Sequence, residues 1–244
     1  MALIQPRTPG DTSASRLAEQ RVHEWALHLD AERRRQKAES TRVSPGYIHP
    51  YIAISREAGA GGSAVARRVG ELLHWEVLNR ELLDEMADKF NLPRAMVGVA
   101  DETTSNWLIE VFGKWLDPRL VTRSEYIVHL GQLVLLAAQH SSKVFVGRGA
   151  QYFLPAERGV SVFLVAPLAM RIARIREVHG CSEAEARRYI RDTDQNRRDL
   201  IKSHFNRQIG DPHLYDLVIN RTHIGFDTAA ELVVNECRRR FSLA

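Results

Sequence analysis

Short apolar runs that favour strands alternate with longer segments of helical periodicity along most of this chain. The strand-like runs cover residues 51–55, 75–78, 143–146, 160–165 and 215–220. Helical patterns lie between and after them, at 64–73, 80–90, most of 94–141, 167–179, 182–206 and 227–241. Strands that alternate with helices predict an α/β fold with a parallel, doubly wound sheet.

Three of the predicted helices carry start signals. Ser182-Glu-Ala-Glu185 has the Ser-x-x-Glu form of a capping box, so a helix is expected to begin there. Pro167 is expected to open the helix after the fourth strand, and Asp227 to cap the last helix.

The first 50 residues are organised differently from the rest. Residues 1–12 are expected to be disordered, residues 13–39 have the period of an amphipathic helix, and residues 40–50 resemble a linker. The helix has an apolar side made of Leu17, Val22, Trp25, Ala26 and Leu29. Such a side needs a partner. The partner is the helix's own domain, another protein or a second copy of the chain, which would make a homodimer through this helix.

A glycine-rich turn separates the first predicted strand from the helix that follows it. The turn contains Gly59, Gly61 and Gly62. Glycines let the backbone turn tightly, so several N–H groups at the helix N-terminus surround one point, and that concavity suits a phosphate. The alternative interpretation is a turn that only packs tightly.

This turn departs from the phosphate-loop pattern G-x-x-x-x-G-K-[ST] at two positions. Arg56 stands at the first glycine position and Gly62 at the lysine position, while Ser63 keeps the hydroxyl. If the turn binds ATP, the cation for the β- and γ-phosphates has to come from another residue. The candidates are Arg56 at the strand end and, in the helix, Arg67 and Arg68.

Composition and charge restrict the classes of function. The chain has 244 residues, 44% of them hydrophobic, which is typical of one globular α/β domain with an extension. No apolar run approaches the about 20 residues of a membrane span, and the N-terminus lacks the apolar core of a signal peptide. A cytoplasmic protein with no membrane partner is therefore expected. A net charge of +4 without a recognition motif does not favour nucleic-acid binding.

The cysteines and histidines of the sequence indicate neither a disulfide framework nor a metal site. Cys181 and Cys237 are too few and too far apart for either a disulfide framework or a zinc site. The histidines show no metal-ligand spacing.

Five motifs, in this order, resemble the cytidylate kinase-like family, a branch of the nucleoside monophosphate kinases. They are Ile54-Ser-Arg-Glu-Ala-Gly-Ala-Gly-Gly62, Leu78-Asn-Arg-Glu-Leu-Leu83, Val146-Gly-Arg-Gly-Ala150, Arg191-Asp192 with Arg197-Arg198, and Tyr215-Asp-Leu-Val-Ile-Asn220. The resemblance covers about residues 48–240. It implies a P-loop kinase fold with a five-stranded parallel sheet flanked by helices. The kinase-like domain would span 48–244 with a helical insert at 94–141 and a lid at about 180–210, after an extension at 1–47.

The resemblance also implies roles for single residues on the ATP side. The ATP phosphates would be bound by a set made of Arg56, Gly59, Ala60, Gly61, Gly62 and Ser63. The Ser63 hydroxyl would lie near Mg²⁺, which accompanies ATP as co-substrate.

On the acceptor side, the resemblance implies that Arg148 holds the phosphate of the acceptor nucleotide, with Asn79 and Arg80 beside it. The lid would bring three more arginines over the transferring group, namely Arg191, Arg197 and Arg198. Together with Arg148 they would form the catalytic set. The other arginines of this region, among them Arg171 and Arg174, are interpreted as a solvated helix face.

The expected activity is phosphoryl transfer from ATP to a nucleoside monophosphate, and the resemblance favours CMP or dCMP. This chemistry needs aligned phosphates, exclusion of water and neutralisation of the negative charge on the phosphate oxygens. Guanidinium groups neutralise that charge, because each one can bind two phosphate oxygens. The absent loop lysine and the added N-terminal helix favour a second hypothesis, a catalytically weak nucleotide-binding sensor or scaffold.

Overall fold

The computed structural model describes residues 20–25, 27, 47–79, 81–84 and 125–243 of the chain. Within these ranges the strands are β1 (Tyr51–Arg56), β2 (Glu76–Leu78), β3 (Lys143–Val146), β4 (Gly159–Val165) and β5 (Leu217–Asn220). The long helices are α1 (Gly62–Leu73), α2 (Glu125–His140), α3 (Leu168–His179), α4 (Glu183–Phe205) and α5 (Phe226–Phe241). A short helical segment at 20–25 precedes them.

The strands form one parallel sheet in the order β2-β3-β1-β4-β5, which confirms the predicted fold class. β1 is central, because Tyr51 pairs with Lys143 of β3 on one side and with Gly159 of β4 on the other. All strands run the same way, so their carboxyl ends, and the loops that follow them, lie at one edge of the sheet. Ligands of open α/β sheets bind at this edge.

Both faces of the sheet are covered, which explains why its strands are apolar without alternation. Ile52 and Ile54 of β1 belong to an apolar cluster with α1 and α5. Tyr51 and Ala53 point to the other face and join a second cluster with α2. β1 is therefore fixed from both sides, and so is the loop that leaves it.

Two element starts differ in instructive ways from the sequence predictions. β5 begins at Leu217 instead of residue 215, because Asp211 caps a short 3₁₀ turn that ends just before Tyr215. The predicted cap at Asp227 is wrong. α5 begins at Phe226 after Gly225, and Asp227 lies in its first turn, where a carboxylate still interacts favourably with the positive helix end.

The capping box at the start of α4 is confirmed. The Ser182 hydroxyl accepts a hydrogen bond from the Glu185 N–H, and the Glu185 carboxylate accepts one from the Ser182 N–H. Two orphan donors of the first helical turn are thereby satisfied.

The predicted insert at 94–141 lies mostly outside the described residues. Its last part is α2, whose Leu130 and Leu133 are buried in the cluster on one face of the sheet. This part of the segment therefore belongs to the core of the domain. Among the described residues, no helix has the length and apolar character needed to cross a membrane.

The described part of the N-terminal helix packs against its own chain. The side chains of Val22 and Trp25 are 2% exposed and lie in the same cluster as α2. Arg21 forms an ion pair with Glu76 of β2, and the Lys143 ammonium lies 5.3 Å from the centroid of the Trp25 ring. Of the partners weighed for this helix, its own domain accounts for Val22 and Trp25. A homodimer stays a prediction and would have to use the other side of the helix.

We expect Trp25→Ala to lower the free energy of unfolding by about 3 to 5 kcal/mol, the usual cost of removing a buried aromatic side chain. Urea denaturation measures it. Leu27→Ala is the matched control, because Leu27 is 57% exposed on the same segment and should change stability by less than about 0.5 kcal/mol. Unchanged stability of Trp25→Ala together with a smaller mass in light scattering would instead assign this side chain to a dimer contact.

We expect the stability of this region to depend on pH through Lys143. Burial lowers the pKa of the Lys143 ammonium to about 8, despite the Glu76 carboxylate 3.1 Å away. In the unfolded chain the pKa of this ammonium has its ordinary value of 10.5, so the unfolded chain binds more protons than the folded chain at a pH between the two values. The free energy of unfolding that Lys143 contributes should therefore rise with pH from about 8 to about 10.5. Urea titrations of the protein and of Lys143→Met across this window measure the difference, and parallel curves would contradict the assignment.

Candidate functional site

The glycine loop joins the end of the central strand β1 to the start of α1. Gly59 and Gly61 have φ of 81° and 84°, a left-handed conformation that side chains disfavour. A Cβ at Gly59 would lie 2.7 Å from the Arg171 carbonyl oxygen, and one at Gly61 would lie 2.2 Å from the Phe226 ring. Both glycines are therefore required by conformation and by space. The first N–H groups of α1, including that of Ser63, have no partner within the helix and lie at the mouth of this loop.

Two residues outside the loop, Leu164 and Arg221, bind its backbone. The Leu164 carbonyl of β4 accepts a hydrogen bond from the Glu57 N–H at 3.0 Å. Arg221, which follows β5, donates from Nη1 to the Ala60 carbonyl at 3.1 Å. The Arg221 guanidinium also lies 3.6 Å from the centroid of the Phe226 ring. These contacts fix the loop backbone from neighbouring strand ends.

A second tight turn follows β3. Gly147, Arg148 and Gly149 all have left-handed backbones, with φ of 82°, 56° and 67°. The Gly147 N–H donates to the Ile54 carbonyl at 3.0 Å, so the turn is attached to β1. A left-handed conformation costs a residue with a side chain about 1 to 2 kcal/mol. Strain of this kind is concentrated at functional sites, which marks Arg148 as a candidate site residue.

The Arg148 side chain is held by an acidic partner that the sequence did not reveal. Its Nε donates to Asp84 Oδ1 at 2.6 Å, and its Nη2 is paired with Oδ2 of the same carboxylate. The Tyr126 hydroxyl donates to Asp84 Oδ1 at 2.7 Å. Burial disfavours the guanidinium charge, but the hydrogen bonds with Asp84 outweigh it and raise the pKa of Arg148. The group is thus a permanent, oriented cation.

Helix α4 crosses the mouth of the glycine loop. Asp194 Oδ1 accepts a hydrogen bond from the Ala58 N–H at 2.7 Å, and its Oδ2 accepts one from Arg171 Nη1 at 2.6 Å. Arg197 Nη1 donates to the Arg56 carbonyl at 2.9 Å. The helix that begins with the capping box is therefore in direct contact with the loop.

Of the three arginines predicted to act from a lid, only Arg197 reaches the site. Arg197 is one of the side chains around the cavity described below, whereas the Arg191 side chain is 71% exposed beside Asp192. Arg198 is engaged with Gln195 of its own helix, at 2.8 Å from Nη2 to Oε1. In this arrangement Arg191 and Arg198 face solvent, because they lie on turns of α4 that point away from the sheet.

Arg171 does not lie on the solvated helix face that the sequence predicts for it. Its side chain is 11% exposed, and its Nη1 also donates to the Ala58 carbonyl at 3.3 Å. The position of Arg171 in the sequence does indicate a place near the site. Arg171 lies in the first turn of α3, directly after β4, and so at the carboxyl edge of the sheet. Asp84 and Tyr126 left no comparable signal, because they reach Arg148 from segments far apart in the chain.

The remaining predicted residues are Asn79 and Arg80, which follow β2 in the chain, and Ser63, in α1. Asn79 is exposed, and its Oδ1 accepts the Leu82 N–H at 2.9 Å, so it caps the short helical turn that follows. Ser63 is exposed in the first turn of α1. Arg80 lies outside the described residues.

A cavity of about 120 Å³ lies between the strand ends and α4. Three arginines border it, Arg56, Arg148 and Arg197. The full lining consists of Ser55, Arg56, Gly147, Arg148, Gly149, Thr193, Asn196, Arg197, Leu200, Ile201 and Ile209. Guanidinium groups that converge on one space suit a ligand with several anionic oxygens.

A parallel sheet in this strand order, with a glycine loop leading from its central strand into a helix, defines an α/β protein whose carboxyl sheet edge suits a phosphate-bearing ligand. The chain belongs to the cytidylate kinase-like family, whose model matches residues 51–223. Membership in this family supports a phosphotransferase that uses a nucleotide.

Solved structures resemble the fold. An uncharacterized protein from Eubacterium ventriosum superimposes with a TM-score of 0.60 at 22% identity, over 78% of this chain and 98% of that chain. Shikimate kinase from Acinetobacter baumannii has a TM-score of 0.40 at 22% identity, over 80% of this chain and 94% of that chain. The APS kinase of Mycobacterium tuberculosis has a TM-score of 0.41 at 16% identity, over 77% of this chain and 96% of that chain.

A curated protein also matches in sequence. It is the uronate isomerase of Corynebacterium glutamicum, which is 29% identical over 206 residues. The match covers 80% of this chain and 39% of that protein, so the chain spans about two fifths of its length.

We expect the stability and the activity of Arg148 variants to separate. Both Arg148→Ala and Arg148→Gly remove the guanidinium and should lose phosphoryl transfer to the same extent. The glycine variant should be more stable than the alanine variant by about 1 kcal/mol, because only glycine adopts the left-handed backbone without strain. Thermal unfolding and a turnover assay on the same preparations measure both effects. An alanine variant as stable as the glycine variant would mean that the backbone at Arg148 is not strained.

Proposed function

We propose that this protein transfers the γ-phosphoryl group of ATP to the phosphate of a nucleoside monophosphate, with CMP or dCMP as the acceptor. The observation that carries the proposal is the cavity bordered by Arg56, Arg148 and Arg197 at the carboxyl edge of the sheet, where β1 ends at Arg56 and the glycine loop begins. The choice of cytidine nucleotides rests on the family. The role of each residue below is part of the proposal.

On the ATP side, the loop backbone from Gly59 to Ser63 binds the phosphates. Gly59 and Gly61 give the loop backbone its path, since a side chain at either position would meet protein atoms within 3 Å. The N-terminal end of α1 adds its dipole, which favours anions.

The residues around the loop also fit Mg²⁺. Among the described residues no group of three carboxylate, histidine or cysteine side chains is arranged to hold a metal ion. Mg²⁺ in kinases, however, is held mainly by substrate phosphates and water with one or two protein oxygens. The Ser63 hydroxyl is such an oxygen. When bound with ATP, Mg²⁺ neutralises the charge that develops on the phosphates.

On the acceptor side, Arg148 binds the acceptor phosphate. Asp84 occupies the Nε and Nη2 edge of its guanidinium, so the Nη1 group is the part that meets the acceptor. Arg197, which bonds to the Arg56 carbonyl from α4, neutralises the equatorial oxygens of the transferring group. An acceptor phosphate is already ionised near neutral pH, so the reaction needs no strong general base.

A second candidate is a catalytically weak nucleotide sensor or scaffold. The observation in its favour is Asp194, whose carboxylate accepts the Ala58 N–H at 2.7 Å and thus places a negative charge beside the loop that would bind the ATP phosphates. The absence of lysine at position 62 points the same way.

A coupled ADP-release assay with ATP and Mg²⁺ against CMP, dCMP, UMP, AMP and GMP tests the proposal. We expect turnover with CMP or dCMP, and a loss of at least about a hundredfold in Arg148→Ala, because removal of a charged hydrogen-bonding partner of the transition state costs about 3 kcal/mol. Arg187→Ala is the matched control, because Arg187 is 54% exposed and pairs with Glu183 on the outer side of α4.

The outcomes separate the two candidates. Turnover with another nucleotide would correct the acceptor and keep the reaction. ATP binding without turnover of any acceptor would favour the sensor or scaffold.

A further inference from the structure

Positions 56 and 62 depart from the phosphate-loop pattern together. The pattern requires glycine first and lysine at the start of the helix, and this chain has Arg56 and Gly62 there. In the sequence the two departures have no visible relation. In the structure they are linked, because the side chain of Arg56 lies against Gly62.

Gly62 is not required by its backbone. It is the first residue of α1, and it is not among the left-handed glycines. A Cβ at this position would lie 2.7 Å from Cγ, 3.0 Å from Cδ and 3.1 Å from Cβ of Arg56. Its three nearest neighbours therefore all belong to one side chain. Glycine stands at position 62 because the stem of Arg56 passes over it.

The Arg56 guanidinium continues past the loop to the turn after β3. A Cβ at Gly147 would lie 2.1 Å from Arg56 Nη1 and 3.2 Å from its Cζ. The charge thus lies beside Gly147, the residue before Arg148, at the cavity that all three residues line. The Arg56 backbone is fixed as well, since its carbonyl accepts the hydrogen bond from Arg197.

Four other arginines near the loop do not line the cavity, namely Arg67, Arg68, Arg171 and Arg221. The Arg67 side chain is 77% exposed, and Arg68 pairs with Glu71 and with Asp227 at 3.0 Å. Arg171 donates to the Ala58 carbonyl and to the Asp194 carboxylate, and these bonds hold the loop in place. Arg56 is the arginine that combines the loop, the cavity and the neighbouring turn.

We propose that Arg56 supplies, from the end of β1, the phosphate-binding cation that a lysine supplies from the helix in the standard loop, and that Gly62 is the space this exchange requires. The inference rests on the proposed function, because it takes the bound anion to be the ATP phosphates. A guanidinium binds two phosphate oxygens at once, whereas an ammonium acts as a point charge. In this loop the phosphate is therefore bound by a guanidinium from the end of β1 and not by an ammonium from the helix.

The exchange can be reversed by mutation. Arg56→Gly together with Gly62→Lys restores G-x-x-x-x-G-K-S at residues 56–63. Each single change should weaken MgATP binding by about tenfold to a hundredfold, the effect of losing a charged hydrogen bond. Arg56→Gly removes the cation, and Gly62→Lys collides with the Arg56 stem. The double variant should regain affinity to within about fivefold of the unmodified protein, which is about 1 kcal/mol. Isothermal titration calorimetry of the full chain with MgATP measures all four proteins.

A smaller substitution gives a second readout that needs no ligand. Gly62→Ala should lower the melting temperature in the presence of Arg56, because its Cβ meets the arginine stem. The same change should raise or leave the melting temperature in an Arg56→Gly background, where alanine favours the helix. Equal effects in both backgrounds would overturn the proposed link between the two positions.

The binding results overturn the inference in either of two cases. One is a Gly62→Lys variant that binds MgATP as tightly as the unmodified protein. The other is a double variant whose loss equals the product of the two single losses. Failure of the proposed function is distinguishable, because ATP binding that depends on Arg56 without turnover of any nucleotide would sink the kinase proposal alone. Turnover of CMP unaffected by Arg56→Gln would sink this inference alone.

Discussion

The site depends on the central position of β1 in the sheet. β1 pairs with β3 and with β4 in parallel register, so the chain leaves β1 between two other strand ends. The Gly147 N–H bonds to the Ile54 carbonyl on one side, and the Glu57 N–H bonds to the Leu164 carbonyl on the other. These two backbone bonds bring the glycine loop, the Arg148 turn and the start of α3 to one edge. Apolar clusters on both faces keep β1 in place, so the geometry of the edge is set by the core and not by the loops.

The sequence was sufficient for those parts of the fold that local pattern determines. Buried parallel strands appear as short apolar runs, and glycines at Gly59 and Gly61 signal the turn because their backbone conformation excludes other residues. The capping box at Ser182 was equally readable, since both of its hydrogen bonds lie within four residues. The start of β5 is not readable in this way, because the aromatic and polar residues just before Leu217 resemble strand residues in sequence.

Contacts across long sequence separations could not be read in the same way. Asp194 bonds to Ala58 over 136 residues, and Asp84 meets Arg148 over 64. The periodicity of α4 leaves several arginines as equivalent candidates, and only the packing of the helix distinguishes the inward Arg197 from the outward Arg191 and Arg198. A missing lysine likewise appears as a defect in the sequence, since the relation between Arg56 and Gly62 exists only through the path of a side chain.

The contact between Asp194 and the loop has a consequence for how any anion enters this site. The carboxylate already accepts hydrogen bonds from Ala58 and Arg171 at 2.7 and 2.6 Å, so the loop and its neighbour are occupied by an anion that belongs to the protein. Binding at these donors is therefore an exchange of one anion for another, and a measured affinity is the difference between two interactions. A singly charged, monodentate anion gains little from such an exchange, whereas a polyphosphate offers more oxygens than the carboxylate it displaces. Since Asp194 is carried by α4, the same exchange breaks one of the bonds that hold this helix against the sheet.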